Sequence, residues 1–528
     1  MILQNATIYT GNDVQDIVAS VAVKGDRIVA VGNVVDYDCD KVQKLDLQGA
    51  FVYPGFTDAH VHLRETGYRE ITLDLRDAES LEHAMELVRQ KAKDGKPGQW
   101  FVGVGWIEKY WPEKRFPTRY DIDQVVDDRP VVLHRSDGHT ILVNSLALKL
   151  AGIDRNTADP DGGIIQRDSS GEPTGLLIDN AMVLVTDLMP PKTREEDKEA
   201  LRMALERNAR LGWTQTQNAS GNELDIELLK ELREEGKLAH RVYYALDDGE
   251  SIQAVLARGP EVDPENKITV RSIKLFMDGA LGSRGAALEE EYQDDHSKGL
   301  MLLSKEETLP ILLKALKNGI QVEVHAIGDK ANRIVLDWFE EAFAQVKVSD
   351  RLVQSPRWRI EHVQVIAPEQ QKRLKKLRVI PSMQPSHAIG DMYFAPTRLG
   401  SGRVKNAYVW QGLIDLGLII AGGSDAPVEV GDPLIEFYAA VVRKDLGGYS
   451  NKDWHIEQAV SRDVALKMFT IWPAYAAFQE SDRGTIEVGK QADFTVFDKD
   501  IMTISEKEIL SANVVMTVVG GRIVYQKK

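Results

Sequence analysis

The sequence predicts an α/β protein: a distorted (β/α)8 barrel with an inserted α/β subdomain and a small β-sandwich domain built from both chain ends. Three observations predict it. Both ends are rich in short β-type segments, the long middle alternates helical and strand patterns, and that middle holds about eight strand-like runs, the number that closes such a barrel.

At the N-terminal end, residues 16–24, the pair Gly25-Asp26 and residues 27–31 read as a hairpin, because a Gly-Asp pair tolerates the positive φ of a tight turn. At the other end, residues 494–497 and 514–519 are β-type, and Gly520-Gly521 turns the chain into Arg522-Ile523-Val524-Tyr525. Between them, strand-like runs fall at 51–58, 212–217, 242–245, 272–276, 321–324, 358–360, 379–382 and 418–421. Thr193-Arg194-Glu195-Glu196 has the form of a capping box and opens a helix through Leu201, Leu205 and Leu211. The stretch from about Tyr68 to Met189 is long for a single connection and carries a helical pattern at 78–93, so it reads as an insertion. The expected division is 1–56 and 481–528 for the two parts of the β-sandwich, and 57–480 for the barrel with its insertion at about 68–189.

Composition narrows the function classes. Of 528 residues, 43% are hydrophobic, enough for a large core, and 81 acidic against 65 basic residues give a net charge of −16. That balance argues against nucleic acid or an anionic membrane as partner, since both require a basic face. The one cysteine, Cys39, rules out an intrachain disulfide and a cysteine-based zinc cluster. No apolar run approaches bilayer-spanning length and the start has neither a basic leader nor a signal-length apolar stretch, so a cytoplasmic protein is expected. There is no Gly-x-Ser-x-Gly elbow, and the glycine-rich residues 279–285 have neither Rossmann nor P-loop spacing.

The chemistry sits where the strands end. His60 and His62 are two residues apart at the end of a strand-like run, so both imidazoles point to one face and can reach one point. Neutral imidazole is the commonest metal ligand. His325, His362 and Asp425 each follow a strand-like run, and Lys274 lies within one. In a barrel, strand C-terminal ends converge on one mouth, so these residues, distant in sequence, are expected to meet there.

With these residues stand Gly55-Phe56-Thr57-Asp58-Ala59-His60-Val61-His62, Asp137-Gly138-His139, Lys274-Leu275-Phe276-Met277-Asp278-Gly279, His325-Ala326-Ile327-Gly328-Asp329, Glu361-His362 and Gly423-Ser424-Asp425-Ala426-Pro427, with Gly489-Lys490-Gln491-Ala492-Asp493 in the tail. On these motifs the chain resembles the amidohydrolase superfamily, in its YtcJ-like branch that includes N-substituted formamide deformylases. The resemblance runs over nearly the whole length. It implies that His60 and His62 bind the more buried metal with Asp425, that His325 and His362 bind the second, and that Lys274 is a carbamate formed with CO2 that bridges the two. An ammonium cannot bind a cation, whereas a carbamate offers two anionic oxygens. An unmodified Lys274 paired with Asp278 or Asp425, leaving a single metal, is the alternative. Two zinc ions are expected, with iron, manganese or nickel compatible with the same ligands.

The implied reaction is attack of a metal-bound hydroxide on a small amide or formamide, with Asp425 as general base and then general acid. Ester, lactone or cyclic-amide hydrolysis is the runner-up, and a catalytically silent scaffold on the same fold a third reading. Similar proteins imply a homodimer. His139 is a candidate for bonding a substrate oxygen, with a structural histidine as the alternative; Arg284 is a candidate for an anionic substrate group or for pairing with Asp278. Asn144 reads as a helix cap or turn residue, and Trp106 and Trp111 as pocket wall or core. Residues 105–108 depart from the family's usual acidic residue straight after the tryptophan. Glu361 and Ser424 are read as orienting ligands, and Gln384 and His387 as lining the pocket.

Overall fold

The computed structural model describes residues 1–12, 16–34, 37, 42–93, 98–108, 111–136, 139–451 and 454–528; Cys39, Asp137 and Gly138 lie outside the described residues. Two compact units divide the chain: Met1–Thr66 with Leu201–Lys528, and Gly67–Ala200.

The first unit is built on eight parallel strands: β1 (Phe56–Val61), β2 (Trp213–Asn218), β3 (Arg241–Leu246), β4 (Ile268–Phe276), β5 (Gln321–Ala326), β6 (Arg359–His362), β7 (Ile380–Met383) and β8 (Ala421–Gly422). They pair side by side in chain order. The ring nearly closes into a barrel. Val61 bridges Ala426, the Asp425 N–H donates to the His60 carbonyl at 2.7 Å, and the His62 N–H donates to the Ala426 carbonyl at 2.8 Å. Every residue of β1, β2, β3, β6 and β7 is buried, as expected where helices cover a parallel sheet. Crossover helices carry local start signals: Asn222, Asp248 and Ser304 each cap a helix by accepting from a first-turn N–H.

Strands from the two chain ends share a sheet. Phe494–Phe497 pairs antiparallel with Phe51–Pro54 on one side and with Val514–Val519 on the other. A second, four-stranded sheet holds Ile2–Gln4, Val21–Lys24, Arg27–Val31 and Lys44–Asp46, and one apolar cluster containing Leu3, Val21, Val52, Phe494 and Val518 joins the two sheets. The turn at Gly25 has φ 62° and that at Gly520-Gly521 has φ 56° and 70°, the conformations for which glycine is suited.

Three strand expectations are corrected. The run 51–58 is two strands: Phe51–Pro54 joins the terminal sheet, and Phe56–Val61 opens the barrel. Gly55 makes the break, since a Cβ there would lie 2.3 Å from Thr214 Oγ1 and 2.9 Å from Asp493 Cβ. Residues 16–24 likewise split, with Ile17–Val18 in one sheet and Val21–Lys24 in the other. The last barrel strand is Ala421–Gly422 rather than 418–421, because the chain beyond it is drawn against β1; a Cβ on Gly423 would stand 2.4 Å from the His60 nitrogen.

The second unit has its own six-stranded mixed sheet. Helix Leu81–Ala92 contributes Leu81, Ala84, Met85 and Val88 to a core that also contains Trp106 and Trp111. Both indole N–H groups are spent on backbone, donating to the Leu133 and Ala78 carbonyls. Asn144 caps Ser145–Leu150 by accepting from the Ala147 N–H. Thr193 and Glu196 form the reciprocal pair expected at the start of Arg194–Leu211. Among the described residues no helix is long and apolar enough to cross a membrane.

Candidate metal centre

Five histidine and aspartate side chains from three barrel strands and the segment after β8 meet at the strand C-terminal ends. His60 lies on β1 with His62 just beyond it, His325 on β5, His362 at the end of β6, and Asp425 follows β8. Ring centroids of His60 and His362 are 4.8 Å apart, those of His325 and His362 4.6 Å, and those of His60 and His62 5.5 Å. Asp425 Oδ1 stands 3.1 Å from His62 Nε2 and 3.5 Å from His60 Nε2. Two positions are non-glycine residues with positive φ, Asp425 at 60° and His362 at 77°. Such conformations cost on the order of 1–3 kcal/mol each and persist where the surroundings over-determine them.

The imidazoles are held from behind. His60 Nδ1 is 2.5 Å from Glu361 Oε2, His62 Nδ1 is 2.5 Å from Ser220 Oγ, and His362 Nδ1 is 2.9 Å from Gln384 Oε1. With Nδ1 engaged, Nε2 of each ring is left for the centre, the arrangement by which outer partners orient metal-binding histidines. Glu361 is itself held by Arg359, which is wholly buried and also donates to Gln217, Ser382 and the Ala59 carbonyl. Asp58 accepts from both the Ser424 N–H (2.8 Å) and the Ser424 hydroxyl (2.5 Å), fixing the residue before Asp425.

Burial sets the protonation states. It pushes His60 down to about 4 and His325 to about 3, in both cases with the Lys274 charge adding to the effect, and holds His362 well below the ordinary imidazole value. These rings are therefore neutral, the form that binds metal. For Asp425, burial works upward, but the imidazoles of His60, His62, His362 and His387 hold the carboxyl well below the usual range. For Glu361, burial is likewise outweighed, by Arg359 and His60, which bring it to about 2. Lys274 is buried within β4, its Nζ 4.7 Å from the Phe276 ring centroid, and desolvation lowers its pKa.

Among the described residues, two sets offer one ligand atom per residue within 4.8 Å of one another: His60, His62 and Asp425, and His362, His387 and Asp425. His60 Nε2 and His325 Nε2 are buried without a hydrogen-bond partner. A buried polar atom left unpaired is expensive, so these donors fit a divalent cation.

The profile of the Amidohydrolase family matches residues 43–525. The chain belongs to that family. As an amidohydrolase it is 34% identical over 506 residues to YtcJ of Bacillus subtilis (strain 168), covering 93% of this chain and 92% of that protein. It is 28% identical over 544 residues to the N-substituted formamide deformylase of Arthrobacter pascens, covering 100% and 98%. A metal-dependent hydrolase from Pyrococcus furiosus has a similar structure, with TM-score 0.77, 28% identity and 95% and 99% of the two chains covered. The protein is thus a hydrolase on a barrel whose mouth gathers side chains that could hold a metal ion.

Not every expected site residue of this amidohydrolase joins the cluster. Arg284 pairs with Asp294 and Asp295 in a partly exposed network rather than with Asp278. Asp278 instead accepts the N–H groups of Ala287, Ile327 and Gly328. His139 belongs to the second unit, where its exposed ring lies 2.8 Å from Asp179. Lys274 pairs with neither Asp278 nor Asp425 by any hydrogen bond among the described residues. Residue-by-residue reading missed Arg359, Asp58 and Ser220. An arginine inside an otherwise apolar strand run was the available signal for Arg359; nothing local marked Ser220.

Proposed function

We propose that the protein hydrolyses the C–N bond of a small amide, most simply an N-substituted formamide or other acyl-amine, with divalent metal ions held at the barrel mouth. The observation that carries this reading is the convergence of imidazoles on Asp425, with the Nε2 atoms of His60 and His325 buried and without a hydrogen-bond partner among the described residues. His60, His62 and Asp425 would hold the more buried ion and His325 and His362 the second, with Lys274 carboxylated between them. Zinc suits these ligands, and iron, manganese or nickel accept the same set. Bound there, such ions acidify water and polarise a carbonyl group.

The chain's own residues do the rest. Asp425, low in pKa and within 3.1–3.5 Å of two imidazoles, accepts the proton of the attacking water. It then delivers that proton to the leaving nitrogen, because an amine leaves poorly until it is protonated. Arg359 keeps Glu361 ionised, and Glu361 keeps His60 in the tautomer whose Nε2 faces the centre. The 28% identity to a formamide deformylase over the full length supports the choice of amide.

The test is metal content by plasma mass spectrometry together with turnover of an N-alkyl formamide, an acylated aniline, an ester and a lactone. Bound metal with amide cleavage supports the reading; metal with ester or lactone cleavage alone would replace it with the carbonyl-oxygen alternative. A chain that takes up no metal after reconstitution and cleaves nothing would leave a scaffold.

A further inference from the structure

His387 stands at the same mouth as the metal-type histidines but is wired in the opposite sense. It lies on the helix Pro385–Asp391 that follows β7, is buried, and stacks on His362 with ring centroids 5.8 Å apart. Its Nε2 has no hydrogen-bond partner and faces Asp425 Oδ2 at 3.5 Å and Glu429 Oε1 at 3.8 Å. Distance alone makes it a third ligand beside His362 and Asp425.

The hydrogen bonds behind the ring decide otherwise. His60 and His362 meet oxygen acceptors, Glu361 and Gln384, at Nδ1, so Nδ1 carries the proton and Nε2 carries the lone pair. His387 Nδ1 meets a donor, the Gln364 amide nitrogen at 3.5 Å. That amide is oriented by the groups around its nitrogen, while its Oε1 is buried without a partner among the described residues. One N–H of its Nε2 donates to Tyr408 Oη at 2.7 Å and the second is shared between His387 Nδ1 and Asp391 Oδ2 at 3.4 Å, while the Tyr408 hydroxyl donates to the same Asp391 oxygen. Turning the amide over would set its oxygen against a carboxylate and a hydroxyl whose proton is already spent. His387 Nδ1 is therefore the acceptor, and in the neutral ring the proton sits on Nε2.

We propose that His387 is not a metal ligand but the N–H donor that binds the substrate's carbonyl oxygen, and the negative charge that develops on it, beside Asp425. This rests on the hydrolase reading above and names the residue that meets the oxygen of that substrate. No proton changes hands at His387; its N–H is a fixed dipole aimed at the mouth, and a preorganised donor of this kind acts without reorganisation during the reaction. Asp391, Tyr408 and Gln364 are its positioning residues.

The experiment uses the zinc-loaded full chain and the best substrate of the amide and ester panel. His387→Ala should keep the wild-type zinc content and unfolding midpoint while kcat falls by about 10²–10³, the usual loss for one such donor. His387→Gln, which retains an N–H, should recover part of it, and Gln364→Leu should lower kcat with zinc unchanged. Nitrogen-15 histidine spectra of the zinc-loaded protein should show one ring, absent in His387→Ala, as the neutral Nε2–H tautomer. Loss of zinc in His387→Ala, a metal-type signal for that ring, or wild-type kcat in His387→Ala overturns the proposal while leaving the hydrolase standing. Wild-type protein with neither zinc nor turnover overturns both readings together.

Discussion

Asp425 and Asp493 are both buried, both have lowered pKa values, and reach that state by different means. Asp493, close to the N-terminal end of β3, is compensated by permanent protein cations: Arg241 donates to it at 2.8 Å and 3.1 Å, and Arg483 lies 3.5 Å away. Asp425, at the opposite end, faces imidazoles, of which His60 and His362 are held by burial well below the ordinary imidazole value. One end of the barrel supplies its own countercharge; the other is built so that a cation from outside completes it. The first arrangement fixes structure, tying the barrel to the segment that leads into the tail strand Phe494–Phe497. The second stores binding capacity.

The comparison can be broken at either end. Asp425→Asn should give the largest effect, a fall in kcat of up to about 10⁴ with reduced metal content, measured by steady-state kinetics and plasma mass spectrometry; unchanged turnover would remove Asp425 from the chemistry. His325→Ala should likewise lose one metal and most hydrolysis with the fold intact by circular dichroism. Arg241→Ala should leave turnover per folded molecule alone but cost about 3–5 kcal/mol in urea unfolding, because it strands a buried carboxylate.

His240 sharpens the contrast with pH. It is fully buried, bonded to Thr216 and the Leu205 carbonyl, and burial lowers it to about 4. The unfolded chain therefore binds a proton that the folded chain refuses. Its contribution is fully present above the unfolded value near 6.5 and is lost as pH falls from there to about 4, amounting to roughly 3 kcal/mol. Denaturant midpoints across that window should fall in the wild type and less steeply in His240→Gln. The smallest effect is expected at Thr193→Ala, about 1 kcal/mol from the lost helix cap, with no change in metal content.

The strands were legible because buried parallel strands are short apolar runs, and the segments read at 212–217, 242–245, 321–324 and 379–382 correspond closely to β2, β3, β5 and β7. Gly55 was not legible as a sheet boundary, since only the approach of Thr214 and Asp493 forbids a side chain there. Likewise, the fate of Arg284 depended on which of several acidic residues folding would bring beside it.

By itself the sequence determined the residue types and their periodicity: imidazoles two apart on a strand, apolar runs of barrel length, helix caps at the right offsets. These are local properties, set by backbone geometry and by chemistry that each residue carries wherever it lies. Only the tertiary structure decided which nitrogen of each histidine faces the centre, because that depends on a partner from another strand: Glu361 for His60, Ser220 for His62, Gln384 for His362 and Gln364 for His387. An imidazole is donor on one side and acceptor on the other, and the neighbour behind it chooses which.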